Sequence, residues 1–454
     1  MKIIILGAGK VGAYLTSDLS NEGHDIVVIE KDKEILRHLS RQNDVMGIVG
    51  DGRDIETLRE ASVGDADVFI AITANDDVNL ISSIFAKNLG AKHTLARVRD
   101  INYVKESDFI ANMVGADKFV NPEYLTANDI QRELTYVEAN NVEGFFDDRL
   151  RMIEITIDEK SELANKSLVE LSRSGIFSGN IISLVVSEDE IIVPTGNYVL
   201  KPGDRINIAG RNDNVRKFYR EITRDDAIIK NVLIIGASNI CYYLAKMLIE
   251  RKFNVTVIEI DRKKAEDFQE RLEDVVVYHA DGSNPDILEE VRIRDFDALV
   301  SLTGIDEENI LISLLGNKYG VPKTIAKVNR PELLRTTGIL DIDYTITPKK
   351  TASDFINMHI RSKKNSRGRS IVNLFTLEDN EIELIEFKAI EDSHIIGKKV
   401  KDLNIKSNTL LVSILRDNTK NIEIVTGESV INLGDSILVV TKQKNLNVLE
   451  DVLN

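Results

Sequence analysis

The chain has 454 residues, of which 43% are hydrophobic, and its uninterrupted apolar runs are far shorter than the about 20 residues that a membrane helix needs. A chain of this length exceeds one domain, and its net charge of −16 argues against a general nucleic-acid binder. The single cysteine, Cys241, excludes an intrachain disulfide and fits a reducing cytosol.

Strand and helix signals alternate over the first 122 residues. In chain order they predict a strand at 3–6, a helix at 10–20, a strand at 25–29, a helix at 32–41, strands at 45–49 and 68–72, a helix at 79–89 and a strand at 93–98. Short apolar strands that alternate with helices are typical of a parallel, doubly wound sheet. We therefore predict a Rossmann domain over residues 1–122.

The pattern changes after Pro122. A helix is predicted over 127–140, and it is followed by short alternating strands at 152–157, 181–186, 190–193 and 205–209. We predict a crossover helix and linker over 123–147 and a small α+β domain over 148–226, a size within the usual domain range.

The second half repeats the first. Gly236 lies 229 positions after Gly7, and Glu259 lies 229 positions after Glu30. This tandem duplication predicts a Rossmann-like domain over 229–348, a crossover helix and linker over 349–369, and a small α+β domain over 370–454. The predicted fold class is α/β, with two doubly wound parallel-sheet Rossmann domains that are each followed by a small α+β domain.

A glycine-rich turn follows the first strand and opens the first helix, with the pattern Gly7-x-Gly9-x-x-Gly12. The first glycine permits the tight turn, the second lets the backbone approach a pyrophosphate, and the third lets helix and strand pack closely. The N–H groups at the start of the helix favour an anion. With a strand before it and a helix after it, the motif predicts a dinucleotide site.

Glu30 ends the second strand, 18 residues after Gly12. A carboxylate at this spacing accepts hydrogen bonds from the ribose hydroxyls of the adenosine and repels a 2′-phosphate. The sequence therefore favours NAD or an adenine nucleotide over NADP, the alternative being a solvated surface acid.

Two further features recur at the ends of strands. Asp51, which matches Asp281 in the second half, is a candidate ligand of an adenine amino group, and Thr73 with Ala74 are candidates for the ribose or pyrophosphate. All follow apolar strands, at the edge where open α/β sheets bind ligands. An Asx turn or a helix cap explains the same residues equally well.

Arg97 and Arg99 follow the next strand. A guanidinium at this edge can reach phosphates. A structural ion pair is the alternative for both arginines.

The second glycine turn departs from the pattern, because Ser238 replaces the second glycine and Cys241 the third. A Cβ atom at 238 narrows the approach to a pyrophosphate. Glu259 and Asp281 remain, and Lys327 stands where Arg97 does in the first half. The second site is therefore open to three interpretations: weaker binding, a different nucleotide, or a vestigial site.

None of the six histidines belongs to a recognisable catalytic constellation, and no metal-ligand spacing or Walker loop is present. We predict that the protein is not an enzyme. An NAD-dependent oxidoreductase with an unidentified substrate is the alternative from another class.

Over nearly its whole length the chain resembles the peripheral nucleotide-binding subunits of Trk-type potassium uptake systems, which carry two regulator-of-potassium-conductance (RCK) modules in tandem. The order of the motifs and the repeat of the whole set carry the resemblance. The matching segments are 2–12, 28–32, 50–52, 73–77, 96–99, 121–122 and 201–204.

The resemblance implies that NAD(H), ATP or ADP binds as a regulatory ligand and places the ligand at two sets of residues. The first set is Gly7, Ala8, Gly9, Lys10, Val11, Gly12, Glu30, Thr73, Ala74 and Arg97. By position, the second set is Gly236, Ala237, Ser238, Asn239, Ile240 and Glu259.

The resemblance also implies a cytoplasmic protein at the inner face of the cell membrane, held there by a membrane-embedded Trk-type potassium transporter subunit that it gates. It implies a homo-oligomeric ring, with a tetramer as the expected stoichiometry. An RCK-type regulator of another ion channel is the related alternative. A DNA-binding redox sensor is a third, and the four predicted segments leave no room for its helix-turn-helix domain.

Overall fold

The computed structural model describes residues 1–100, 110–111, 113, 115–137, 139–146, 149–188, 190–222, 229–330, 333, 342–365, 370–377, 381–390, 393–444 and 446–454. The chain forms two compact units, each assembled from both halves of the sequence. The first unit comprises Met1–Leu134 and Ile229–Asn357, and the second comprises Thr135–Ile228 and Met358–Asn454.

A six-stranded parallel sheet forms the first half of the first unit. Its strand order is β3-β2-β1-β4-β5-β6, with the first strand at the centre. The strands are β1 (Lys2–Leu6), β2 (Asp25–Glu30), β3 (Met46–Val49), β4 (Val68–Ala71), β5 (His93–Arg97) and β6 (Lys118–Val120). The wholly apolar centre of β1 is buried on both faces, as expected for a strand in a parallel sheet.

Helices connect these strands and continue the chain beyond the sheet. They are α1 (Lys10–Asn21), α2 (Lys33–Gln42), α3 (Ile55–Glu60), α4 (Asp76–Leu89) and α5 (Pro122–Thr135), with a 3-10 turn at Val63–Asp65. Several begin at a side-chain cap. Asp32 caps α2, and Asn75 caps α4 by accepting a hydrogen bond from the Val78 N–H at 2.9 Å.

The first small domain is a five-stranded antiparallel sheet of order β10-β9-β11-β8-β7, accompanied by two helices. Its elements are β7 (Asn141–Phe145), β8 (Leu150–Thr156), α6 (Leu168–Ser174), β9 (Asn180–Ser187), β10 (Glu190–Ile192), β11 (Arg205–Arg211) and α7 (Asn212–Ile222).

The second half of the first unit repeats the first sheet strand for strand, with the order β14-β13-β12-β15-β16-β17. The strands are β12 (Asn231–Ile235), β13 (Asn254–Glu259), β14 (Val276–His279), β15 (Ala298–Ser301), β16 (Lys323–Lys327) and β17 (Tyr344–Ile346). The helices are α8 (Asn239–Glu250), α9 (Arg262–Arg271), α10 (Pro285–Glu290), α11 (Asp306–Tyr319) and α12 (Pro348–Asn365), with a 3-10 turn at Ile293–Asp295.

The second small domain is an antiparallel sheet of order β18-β19-β22-β20-β21. Its strands are β18 (Ile371–Leu377), β19 (Ile382–Lys388), β20 (Thr409–Leu415), β21 (Ile422–Ile424) and β22 (Ser436–Thr441), with 3-10 turns at Val400–Asp402 and Leu449–Val452.

The second unit is held together by apolar packing between its two small domains. The Phe145 and Phe375 rings meet edge to face with their centroids 4.9 Å apart, inside a cluster that includes buried side chains from both sheets. At its edge the Phe146 N–H donates to the buried Glu386 carboxylate at 3.0 Å. This contact ties the first small domain to the second.

The predicted fold class is confirmed: each Rossmann-type parallel sheet is followed by a small domain. The bounds of the crossover helices differ from the prediction. The first begins at Pro122 rather than 127 and ends at Thr135, because proline fits the first turn of a helix, where its missing N–H has no partner to lose. The second begins at Pro348 for the same reason and reaches Asn365, whereas residues 366–369 of the predicted linker lie outside the described residues. The domain boundaries stay predictions.

Among the helices of the described ranges, none has the length and the apolar character that crossing a membrane requires.

Candidate functional site

The first glycine turn needs two of its three glycines for steric reasons. Gly7 has a φ of +104°, and a Cβ atom there would lie 3.0 Å from the Thr73 nitrogen. At Gly12 a Cβ atom would lie only 2.0 Å from the Gly7 carbonyl oxygen, whereas a Cβ atom at Gly9 would meet nothing within 4 Å. Gly7 and Gly12 therefore shape the turn, and the surface beside Gly9 is open to a ligand.

The Glu30 carboxylate fastens this turn to the end of β2. One of its oxygens accepts a hydrogen bond from the Ala8 N–H at 2.6 Å, and the other accepts from the Lys31 and Asp32 N–H groups at 2.8 and 3.1 Å. Glu30 thus has a structural task in addition to its predicted contact with a ribose. The two tasks are compatible because each carboxylate oxygen accepts more than one hydrogen bond.

Asn79 connects the ends of β4 and β5. Its side-chain oxygen accepts from the Thr73 N–H at 2.9 Å, and its side-chain nitrogen donates to the Arg97 carbonyl oxygen at 2.9 Å. The second half repeats both contacts through Asn309, which holds the Thr303 N–H at 2.8 Å and the Lys327 carbonyl oxygen at 2.9 Å. Sequence reasoning missed both asparagines, although their recurrence 230 positions apart was a usable signal.

The two arginines that were predicted to reach phosphates have protein partners. The Arg97 guanidinium lies 3.4 Å from the Glu123 carboxylate, and burial lowers the pKa of Arg97 while Glu123 raises it. Arg99 donates to the Ala74 carbonyl oxygen and lies 3.9 Å from Asp76. Both arginines therefore form the structural contacts that were considered as the alternative, and Arg97 also faces the cavity described next.

A cavity of about 560 Å³ opens in front of the first glycine turn. Among the residues that the structure describes, five cationic and two acidic side chains line it, so this part of the cavity wall is positive although the chain carries a net charge of −16. The cations are Lys10, Lys31, Arg97, Lys327 and Lys349, and the acids are Glu30 and Glu123.

Part of the cavity wall comes from the second half of the chain. Lys327 at the end of β16, Lys349 in the first turn of α12 and Ile240 in the first turn of α8 face the same space as the first glycine turn. The sequence showed Lys327 only as the counterpart of Arg97. That it lies beside the first site depends on how the two sheets pack, which no local pattern encodes.

Most of the predicted residues of the first site line this cavity. They are Gly7, Gly9, Lys10, Val11, Glu30, Thr73, Ala74 and Arg97. Ala8 and Gly12 are buried behind the turn instead.

Asp51 and its counterpart Asp281 are occupied by local contacts. Asp51 accepts from Arg53 at 2.8 Å and pairs with Lys31 at 3.0 Å, and these two partners hold the pKa of Asp51 well below its usual range. Asp281 accepts from the N–H and the hydroxyl of Ser283, which is an Asx turn. Their predicted contacts with an adenine stay predictions.

The second turn has a different arrangement. The Ser238 hydroxyl accepts a hydrogen bond from the Cys241 N–H at 3.3 Å and so caps α8, whereas Gly9 has no side chain with which to cap α1. The Gly236 carbonyl oxygen accepts from the Ser238 N–H at 3.0 Å. Glu259 repeats the contact of Glu30 by accepting from the Ala237 N–H at 2.7 Å.

The comparisons with known proteins follow the duplication. Residues 3–122 and 232–348 match the TrkA-N domain family, and residues 152–223 and 384–454 match the TrkA-C domain family.

Similar proteins match the chain over almost its full length. The Trk system potassium uptake protein TrkA homolog 1 of Methanosarcina mazei is 30% identical over 447 residues, covering 97% of each chain. The Trk system potassium uptake protein TrkA homolog of Archaeoglobus fulgidus is 29% identical over 456 residues and covers 100% of each. Among solved structures, the GsuK channel bound to NAD has a TM-score of 0.64 at 17% identity, covering 97% of this chain and 76% of that one. At that identity the likeness concerns the fold.

Proposed function

We propose that this chain, which belongs to the TrkA family of Trk potassium uptake proteins, is a cytosolic regulatory subunit. It binds an adenine nucleotide in its first half and gates a membrane-embedded potassium transporter of the Trk type. The observation that carries the nucleotide part is the positive cavity in front of the Gly7–Gly12 turn.

An adenine nucleotide fits the chemistry of this cavity. The open surface at Gly9 and the N–H groups of the first turn of α1 suit a pyrophosphate, with Lys10 beside them. Glu30 lies at the cavity edge, where its carboxylate accepts from ribose hydroxyls and disfavours a 2′-phosphate. NAD(H), ATP and ADP are the ligands we propose, with Gly7, Gly9, Lys10, Val11, Glu30, Thr73, Ala74 and Arg97 as the residues that contact them.

The ligand acts as a regulator and is not turned over. A ligand shifts a conformational equilibrium only by its differential affinity for the two states. Nucleotides that differ in charge at the phosphate end meet the same set of cations differently, so one favours the arrangement that opens the transporter and another favours the closed one. A differential affinity of a few kcal/mol is enough to move the population substantially.

We propose that several copies assemble into a ring, with four as the expected number. Each Rossmann sheet presents apolar side chains on the helix after its fourth strand: Ile81 and Ile84 on α4 are 38% and 36% exposed, and Leu311, the counterpart of Ile81, is 60% exposed. Exposed apolar side chains at equivalent positions suit contacts between copies. Ile81→Glu with Leu311→Glu should reduce the mass measured by light scattering, whereas Lys33→Glu on α2 should not.

The test of the function joins binding to transport. Proteoliposomes that contain a Trk-type membrane subunit should take up radioactive rubidium at a rate that depends on this chain and on the added nucleotide. Gly9→Asp, which places a negative charge where the pyrophosphate would lie, should remove the nucleotide dependence. Uptake that is the same with and without the chain would contradict the proposed partner.

The same preparation addresses the alternative of an oxidoreductase. Incubation of the chain with NADH and small carbonyl compounds should leave the absorbance of NADH unchanged. A steady oxidation that Gly9→Asp abolishes would replace the regulatory function with an enzymatic one.

A further inference from the structure

We infer that the two halves of the first unit have different roles in nucleotide binding. Only the first turn binds a nucleotide, and the second half contributes Lys327 and Lys349, which contact the phosphates of that nucleotide. The inference rests on the proposed nucleotide site and adds which half binds, how many nucleotides a chain holds and which side chains read the phosphate end.

In the second turn, the side chain of Ser238 caps the start of the following helix, α8. A bound pyrophosphate accepts hydrogen bonds from the free N–H groups in the first turn of a helix. In the second turn the Ser238 hydroxyl already accepts from the Cys241 N–H at 3.3 Å. The Ser238 side chain also occupies the position where Gly9 leaves open space in the first turn. A phosphate would have to displace this cap and the side chain that makes it.

The other ligand groups of the second turn have changed in the same direction. Asn239 stands where Lys10 stands in the first turn, so the cation beside the phosphates is lost. Glu259 accepts from its own turn as Glu30 does, but it is only 7% exposed, whereas Glu30 is half-buried. Its counterpart Glu30 lines the first cavity.

Lys327 is placed to serve the first site. It is 9% exposed, its ammonium group donates to the Leu302 carbonyl oxygen at 3.3 Å, and it lines the cavity in front of the first turn. Burial lowers its pKa, Asp306 raises it, and Lys10 from the first half lowers it further. Two ammonium groups that repel each other across a partly desolvated cavity are stabilised when an anion lies between them.

Lys349 adds a second cation from the same side. It lies in the first turn of α12, lines the cavity and holds its ammonium nitrogen 5.6 Å from the centre of the Tyr14 ring on α1. Farther along α12, Ser353 and Asn357 donate to the Asp18 carboxylate of α1. Contacts along α1 therefore hold Lys349 beside the first turn.

Because of these contacts, residues of the second half lie beside a ligand in the first cavity. A nucleotide in the first cavity touches both halves, and its affinity depends on how closely Lys327 and Lys349 approach the phosphates. Nucleotides that differ in phosphate charge therefore favour different arrangements of the two Rossmann domains. Each nucleotide has a different affinity for the two arrangements, as a regulatory ligand requires.

Calorimetric titration of the full chain with ATP, ADP and NAD tests the inference. We expect one nucleotide per chain, no binding to Gly9→Asp, and a loss of ATP affinity of about tenfold in Lys327→Met and in Lys349→Met. Lys350→Met, on the same turn but paired with Asp354 at 2.8 Å, is the matched control for charge. Gly304→Asp, at the counterpart of Ala74, is the control that places a negative charge in the second half, because a Cβ atom at 304 meets nothing within 4 Å. Both controls should bind as the wild type does.

The outcomes separate the inference from the function on which it rests. A second nucleotide per chain, retained in Gly9→Asp or lost in Gly304→Asp, would contradict the inference that only the first turn binds a nucleotide. Wild-type ATP affinity in both lysine variants would contradict the inference that Lys327 and Lys349 contact the phosphates. No binding of any adenine nucleotide to the wild-type chain would instead contradict the proposed function itself.

Discussion

The side-chain oxygen of Asn79 accepts a hydrogen bond from the Thr73 N–H, 2.9 Å away, and the same side chain donates to the Arg97 carbonyl oxygen. One buried amide thus fixes the ends of two neighbouring strands, both of which line the cavity. The strand ends can present their side chains to a ligand because this amide removes the freedom that loops usually have.

Replacing Asn79 should destabilise the protein more than replacing an exposed asparagine of the same helix. Asn79→Ala leaves the Thr73 N–H and the Arg97 carbonyl without their partner, so we expect the free energy of unfolding to fall by about 2–3 kcal/mol. Asn88→Ala, which removes one exposed bond to the Ile84 carbonyl oxygen, should change it by less than about 0.5 kcal/mol. Urea unfolding measures both, and equal losses would argue against the bridging role.

Two glycines of the first turn should separate folding from binding. Gly12→Ala places a Cβ atom 2.0 Å from the Gly7 carbonyl oxygen and should lower the free energy of unfolding by about 2 kcal/mol or more. Gly9→Ala meets no atom within 4 Å and has a φ of −67°, so stability should change by less than about 0.5 kcal/mol. Only Gly9→Ala should combine a normal urea midpoint with weaker ATP binding in calorimetry. A destabilised Gly9→Ala would mean that this glycine also shapes the turn.

Much of the fold was predictable because the parallel strands are short apolar runs whose character depends on local sequence. The strands around Ile3, Val28 and Val68 were predicted to within a few residues for this reason. The helix Ile55–Glu60 and the strand Lys118–Val120 were missed, because neither is long enough to show a period.

The candidate site was predictable only on one side. The glycine spacing and Glu30 are local signals, and they predicted a nucleotide site at the first turn. Lys327 and Lys349 are brought to the same cavity by the packing of two sheets that are distant in sequence, and a single sequence carries no signal for that packing. The use of Arg97 by Glu123 was hidden for the same reason.

Acid should remove a contribution of Asp117 to stability. Burial raises the pKa of this carboxyl, but the His93 ring nitrogen 3.3 Å away and the Thr94 N–H, which donates at 2.7 Å, outweigh burial and lower it to about 2. Since the unfolded value is higher, at about 3.9, the contribution is present above that pH and is lost as the pH falls through about 2.

Asp117→Asn should therefore be less stable than the wild type by about 1 kcal/mol at pH 5, allowing for solvent screening, and the difference should vanish near pH 2. Asp44→Asn, at an exposed carboxylate, should show no such trend. Urea unfolding across this range checks the sign, and a difference that grows toward pH 2 would contradict it.

Ser238→Ala should reveal what the cap of the second turn contributes. Loss of the hydroxyl leaves the Cys241 N–H without its partner, and removing a serine from this position of a helix costs about 1 kcal/mol. The equivalent change in the first turn, Gly9→Ala, removes no hydroxyl, so Ser238→Ala should be the more destabilising of the two in urea unfolding. Equal stabilities would mean that the Ser238 hydroxyl is not committed to the helix, and the second turn would then be free to receive a phosphate as the first one is.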